Sequence, residues 1–139
     1  MAAGIKAVIL GCGQVGAELA DRLAGAGVSC TVIDHDETAF LHLPPEFGGS
    51  TVLGHGLDEE ILKKAGTETA QVFVVATADD NFNLMAAQLV KARFKVPKIL
   101  VRVYDPDKAE LFAGLDLMTY CPTKETALAM ERMILGEKK

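Results

Sequence analysis

Three glycines in the run Gly11-Cys12-Gly13-Gln14-Val15-Gly16, and one carboxylate at Asp34, are the residues of this chain whose types and spacing could do chemistry. The glycines follow the G-x-G-x-x-G pattern between an apolar run and a helical one. At such a junction the first glycine permits a tight turn and the second lets backbone approach a phosphate with no Cβ in the way. The third lets the helix pack close to the strand. Unpaired N–H groups and the positive end of the helix then face an anion. Asp34 closes the next apolar run, where a carboxylate accepts hydrogen bonds from a ribose diol and repels a 2′-phosphate. That disfavours NADP relative to NAD or an adenine nucleotide. Plainer roles also fit: a tight turn without ligand for the glycines, and for Asp34 the capping of a helix that starts near Asp36.

Such residues need a frame that brings a strand end, a helix start and a second strand end together. Short β-branched runs alternate with longer amphipathic segments along the whole chain. Strands are expected at 5–10, 29–34, 51–53, 71–76, 99–103 and, more weakly, 117–120. Most lack polar alternation, as strands buried on both faces do. Val15, Leu19 and Leu23 recur four apart, with Glu18 and Arg22 paired on the opposite surface, which predicts a helix over 15–26. Phe82, Met85, Ala86, Leu89 and Val90 predict the longest central helix, and this stripe reads as core. Asp58, Asp79, Asp105, and Thr123 after Pro122, stand where helices begin. Gly25 or Gly27, Gly66 and Gly114 stand where they stop. Right-handed crossovers then give a Rossmann-like, doubly wound α/β fold: six parallel strands ordered 3-2-1-4-5-6, with helices on both faces.

The 139 residues suit one domain spanning 1–139, and a hydrophobic content of 50% supports a real core. Fourteen Lys and Arg against nineteen Asp and Glu leave a net charge of -5, which repels a polyanion and argues against nucleic acid. The basic run Lys91, Arg93, Lys95 and Lys98 reads as a solvated helix end. Three cysteines without C-x-x-C spacing and three histidines without an H-x-x-x-H pair indicate neither disulfides nor structural zinc. The apolar runs fall far short of the ~20 residues of a membrane span, and no leader pattern is visible, so a cytoplasmic location is expected.

Further signatures surround the glycine loop and Val32-Ile33-Asp34. They are Phe47-Gly48-Gly49, Gly54-His55-Gly56-Leu57-Asp58, Ala65-Gly66, Ala76-Thr77-Ala78-Asp79-Asp80-Asn81 with Asn83, Arg102-Val103 and Asp105-Pro106. On these residues almost the whole chain resembles the RCK/KTN, or TrkA-N, domain, a nucleotide-binding regulatory module of potassium channels and transporters. The resemblance implies a cytosolic sensor that binds NAD(H), ADP, AMP or ATP and controls a membrane potassium channel or transporter. By position it implies that Gly11, Gly13, Gln14, Val15 and Gly16 hold phosphates and that Asp34 holds the adenosine ribose. His35 then lies along the adenine rim, His55-Gly56 face the adenine edge, and Thr77, Ala78 and Asp79 close the second half of the crevice. Arg102 falls at a basic position near the phosphates. The chain departs from the family pattern at Gln14, where ATP-preferring members carry arginine, and at Gly54-His55-Gly56-Leu57, which replaces Gly-Asp-x-Thr. It departs again at Thr123, which stands at an acidic, cation-holding position of some members. These departures rank NAD(H), ADP and AMP above ATP.

Three features remain with two readings each. Cys12 sits at a helix start, where thiols are acidified and oxidisable, or is a small side chain turned away from ligand. His55 is a pH-sensitive adenine contact or a solvent-facing loop residue. In the helix expected over 123–135, Ala127, Met130 and Ile134 share a stripe with Leu128 and Leu135 beside it, for self-association into a homo-oligomer or for ordinary core packing. No Ser/His/Asp set or Glu pair is visible, and hydride transfer needs room for a second substrate. A binding module is therefore expected, not an enzyme. The alternative is a small NAD-dependent oxidoreductase subunit completed by another chain.

Overall fold

A computed structural model describes residues 4–136. Its strands are β1 (Lys6–Leu10), β2 (Ser29–Asp34), β3 (Ser50–Leu53), β4 (Val72–Val75), β5 (Lys98–Arg102) and β6 (Met118–Tyr120). The helices are α1 (Gln14–Gly25), α2 (Glu59–Lys64), α3 (Asp80–Arg93), α4 (Pro106–Ala113) and α5 (Pro122–Leu135), with a 3-10 segment at Glu37–His42. All strand pairs are parallel and the sheet runs β3-β2-β1-β4-β5-β6, as the alternation predicts. Strand ends differ from expectation by a residue or two, where runs such as Gln71 and Ala76 extend beyond the ladder.

The strands divide the core between two faces. Val8 and Leu10 of β1, Ile33, Phe73, Val75 and Val101 point to one face, which Leu62 of α2, Ala86 and Val90 of α3 and Phe112 of α4 cover. Ile9, Cys30, Val32 and Val74 point to the other, against Ala17 and Ala20 of α1 and Phe40 and Leu43 after β2. Each large side chain removed from water here contributes about 1.5–3 kcal/mol. The central strands are buried on both faces, whereas the edge strands are not: β3 buries only Val52 and β6 buries none of its three residues.

Helix starts follow the acids. Asp58, Asp79 and Asp105 each accept a backbone N–H in the first turn of α2, α3 and α4. Thr123 does not cap α5. Cys121 takes the cap position without a side-chain bond to the helix, Pro122 opens the helix, and the Thr123 hydroxyl instead donates to the Tyr104 carbonyl at 2.7 Å. Two stripes are also rotated from expectation. The helices approach the sheet through small residues, Gly16, Ala17 and Ala20 in α1 and Ala86 and Ala87 in α3, so Val15 and Met85 turn outward, 49% and 52% exposed. On α5, none of whose residues is buried, the Met130 and Ile134 stripe does not pack into the core.

Candidate functional site

The carboxyl ends of β1, β2, β4 and β5 open into a cavity of about 720 Å³, within the size range of small-molecule sites. All the residues named from the sequence line it except Gly16: Gly11, Gly13, Gln14, Val15, Asp34, His35, His55, Gly56, Thr77, Ala78, Asp79 and Arg102. Gly16 lies beneath the loop. A Cβ there would stand 1.9 Å from the Gly11 carbonyl oxygen, so this glycine sets helix-to-strand contact and does not form the wall.

Gly11 leaves β1 at φ +111°, a conformation that L side chains rarely adopt, and its N–H donates to the Ile33 carbonyl at 2.8 Å. Gly13 is the N-cap of α1 and offers no side-chain acceptor, the first turn holds no acid, and a Cβ at Gly13 would meet nothing within 4 Å. Where α2, α3 and α4 spend an aspartate on their first N–H groups, α1 leaves its own open toward the cavity, a place for an anion.

Asp34, whose side chain is 14% exposed, does not cap the 3-10 segment; Asp36 does, through Thr38. The Asp34 carboxylate accepts the Cys12 N–H at 2.8 Å and the Asp36 N–H at 2.9 Å. Cys12 is fully buried, and burial together with the neighbouring Asp34 charge pushes its thiol up to about 11. Those two effects outweigh the helix start, so the redox reading has no support. Cys30 is likewise pushed up to about 11 by burial. Alkylation of the native protein near neutral pH is expected to label Cys12 no faster than Cys30, with both reacting freely after unfolding. Mass spectrometry showing selective native labelling of Cys12 would restore the redox reading.

At the same end of the sheet His35, His55 and Phe82 form an aromatic rim, with ring centroids 6.3 Å apart for the histidines and 5.8 Å apart, edge to face, for His55 and Phe82. The Leu57 N–H donates to His55 Nδ1 at 3.2 Å, closing the turn after β3. Phe82, read from the sequence as core alone, packs on the core and lines the cavity as well.

The far half is organised by Asn83, a fully buried amide in α3 that donates to the carbonyls of Thr77 at 3.0 Å and Arg102 at 2.9 Å and accepts from the Thr77 hydroxyl. The Asp80 carboxylate accepts the N–H groups of Tyr104 and Asp105, tying α3 to the start of α4. Arg102 donates to the Ala76 carbonyl at 3.2 Å and lies 4.4 Å from the Tyr104 ring centroid. Its Nε is buried without a partner, and among the described residues no carboxylate pairs with it. A partly buried guanidinium on a cavity wall with no acid paired to it suits an anionic ligand. Among the described residues no group of three or more His, Cys, Asp or Glu is placed to hold a metal.

Sequence reasoning missed Tyr104 and His42, and it named Asn83 as a signature without the bridging role that the structure gives it. Tyr104 follows the end of β5, where ligands of open parallel sheets gather, and that rule was signal enough. A lone amide inside an apolar helix stripe was signal enough for that role of Asn83. His42, whose Nδ1 lies 3.0 Å from the Cys12 carbonyl oxygen, carries no local signal because its partner is thirty residues away.

A parallel sheet in this order, with a glycine loop after β1 and an acid ending β2, defines the Rossmann class. Residues 7–120 match the TrkA-N domain, and the chain belongs to that family. It is 40% identical over 128 residues to the Trk system potassium uptake protein TrkA of Streptomyces coelicolor, covering 92% of this chain and 57% of that protein. It is 35% identical over 133 residues to a TrkA homologue of Methanothermobacter thermautotrophicus, covering 94% and 61%. The chain thus spans roughly three fifths of these relatives. The TrkA-N domain of the inner membrane protein ybaL from Escherichia coli has the same fold, with a TM-score of 0.82 at 22% identity, covering 92% and 95% of the two chains. So does a Kef C-terminal domain of Shewanella denitrificans in AMP-bound form, at 0.78 and 21%, covering 96% and 83%. The GsuK channel bound to NAD aligns at 0.70 and 20%, covering 83% and 21%. Among the described residues no helix is long and apolar enough to cross a membrane.

Proposed function

We propose that this chain is one Rossmann-like domain that binds an adenine nucleotide and serves, in the cytoplasm, as a regulatory subunit or domain of a membrane potassium channel or transporter, without catalysing a reaction. The observation that carries the proposal is the uncapped start of α1 facing the cavity, with the Asp34 carboxylate at the neighbouring strand end. In this reading the open N–H groups of the glycine loop at Gly13, Gln14 and Val15 take phosphates, with Gly11 and Gly16 shaping the loop, and Asp34 takes the ribose diol. His35, His55 and Gly56 flank the adenine, Thr77, Ala78 and Asp79 bound the far half, and Arg102 attracts an anionic group. AMP and NAD in the neighbouring structures, and the potassium-uptake names of the relatives, support the reading.

Gln14 is neutral, so a charge-assisted grip on a terminal phosphate is missing there, which ranks NAD(H), ADP and AMP above ATP. A ligand shifts the packing of such a module only by its differential affinity for two arrangements. A thermal-shift panel is the direct test: NAD, NADH, ADP and AMP are expected to raise the melting temperature and NADP to leave it near the ligand-free value. A flat response to the whole panel rejects nucleotide binding, and substrate-dependent NADH turnover would move the assignment to an oxidoreductase.

The same proposal includes a homo-oligomer. Met130, Met133, Ile134 and Leu135 of α5 are each more than half exposed, and Met118 and Tyr120 lie half exposed on one face of the edge strand β6. That apolar surface suits a second copy. The double variant Met130→Lys with Ile134→Lys is expected to sediment as a monomer while still responding to nucleotide. An unchanged sedimentation coefficient of an oligomeric wild type, or a wild type that is monomeric throughout, rejects this surface.

A further inference from the structure

We infer that His42 is a positioning residue that holds the glycine loop in its anion-accepting shape, an inference that rests on the nucleotide-binding reading above. Cys12 stands between Gly11 and Gly13, and among the described residues its short side chain reaches no polar partner that could fix the loop. Two side chains, one ending β2 and one in the 3-10 segment that follows it, fix it instead. The Asp34 carboxylate accepts the Cys12 N–H at 2.8 Å, and on the other side of the residue the Cys12 carbonyl lies 3.0 Å from His42 Nδ1. The same nitrogen lies 2.9 Å from the Ala39 carbonyl. Two carbonyl oxygens accept and do not donate, so Nδ1 carries the proton and donates to both.

The consequence follows from peptide geometry. In a trans peptide the C=O and the N–H point in opposite directions. Fixing the Cys12 carbonyl toward His42 therefore fixes the Gly13 N–H the other way, and Gly13 lines the cavity. That N–H has no protein acceptor among the described residues. Gly13 has open space where its Cβ would be, so without the His42 bond little would oppose rotation of the Cys12–Gly13 peptide. His42 thus acts through the loop and touches no ligand, lowering the ordering cost of binding.

The test uses three substitutions. The Asn amide nitrogen can take the place of Nδ1, whereas the Gln amide extends one carbon further, and Ala removes the donor. ADP titration is expected to show His42→Ala and His42→Gln weakened about three- to tenfold, the range of one net hydrogen bond, with His42→Asn near wild type. Rescue by Asn alone separates positioning from bulk packing. In the ligand-free chain, nitrogen-15 NMR is expected to show the proton on Nδ1, and Cys12 amide exchange is expected to quicken in His42→Ala but not in His42→Asn. A ring protonated on Nε2 alone, or three variants that bind ADP like the wild type, overturns the inference. So does an Asn variant as weak as Ala. If the wild type binds no adenine nucleotide, the proposed function fails, and the tautomer and the Cys12 exchange still decide the role of His42.

Discussion

Asp34→Ala is expected to lose most of the stabilisation that adenine nucleotide confers, about 2.7 kcal/mol when ligand is at 100 times its dissociation constant. A carboxylate has about four acceptor positions. Two are occupied, by the Cys12 and Asp36 N–H groups, which leaves the others for a ribose diol. The substitution also strands the Cys12 N–H in a fully buried residue, a cost of about 1–3 kcal/mol before any ligand is added. Two effects are therefore superimposed: the ligand-free variant melts a few degrees lower, and its response to nucleotide is nearly flat. The ligand response must be read against the variant's own baseline. Should Asp34→Ala gain as much from NAD, ADP or AMP as the wild type does, the ribose is held elsewhere.

Gly16→Ala is expected to be the most destabilising single methyl group in the glycine loop. The added Cβ would meet the Gly11 carbonyl oxygen at 1.9 Å and its carbon at 3.0 Å, and both are backbone atoms that cannot swing away as a side chain would. Helix α1 must lift from β1, at a cost on the order of 3 kcal/mol, which lowers the melting temperature by roughly 10 °C for a chain of this size. Gly13→Ala is the control. Its φ of -76° suits alanine and its Cβ is free of contacts, so melting should hold near wild type, while nucleotide affinity is expected to drop, because in the proposed site the methyl group would stand where phosphate approaches. Melting of Gly16→Ala within two degrees of wild type would contradict the close packing of α1.

What the sequence reveals of this protein depends on how local the cause is. Strand order and the helix starts at Asp58, Asp79 and Asp105 were legible, because each rests on a run of neighbours: β-branched residues in series, or an acid just before a helical pattern. Apolar spacing placed the helices but misjudged their faces. Hydropathy weighs Met85 and Val15 above Ala87 and Ala17, yet close approach of helix to sheet selects the smaller residues. The cavity walls were largely legible too, since the loop and Asp34 fall at strand ends. Its supports were not. Asn83 reaches Thr77 six residues away but also Arg102 nineteen residues on, and His42 meets Cys12 thirty residues away, so no short window of sequence contains all the partners. The thiol of Cys12 was misjudged for the same reason, because its burial and the neighbouring Asp34 charge depend on packing between α1 and β2 and not on the helix start alone.

Asp34 ends β2 and Arg102 ends β5, with β1 and β4 between them. At about 4.8 Å per strand the two lie roughly 14 Å apart, one negative and one positive, at opposite ends of a single trough. A molecule of the proposed class in this trough would meet a field along its length and so have a head and a tail, with hydroxyl groups favoured at the acid and negative charge at the guanidinium. Turning the molecule end for end would set its anion against Asp34, so polarity sorts the two insertions before shape does.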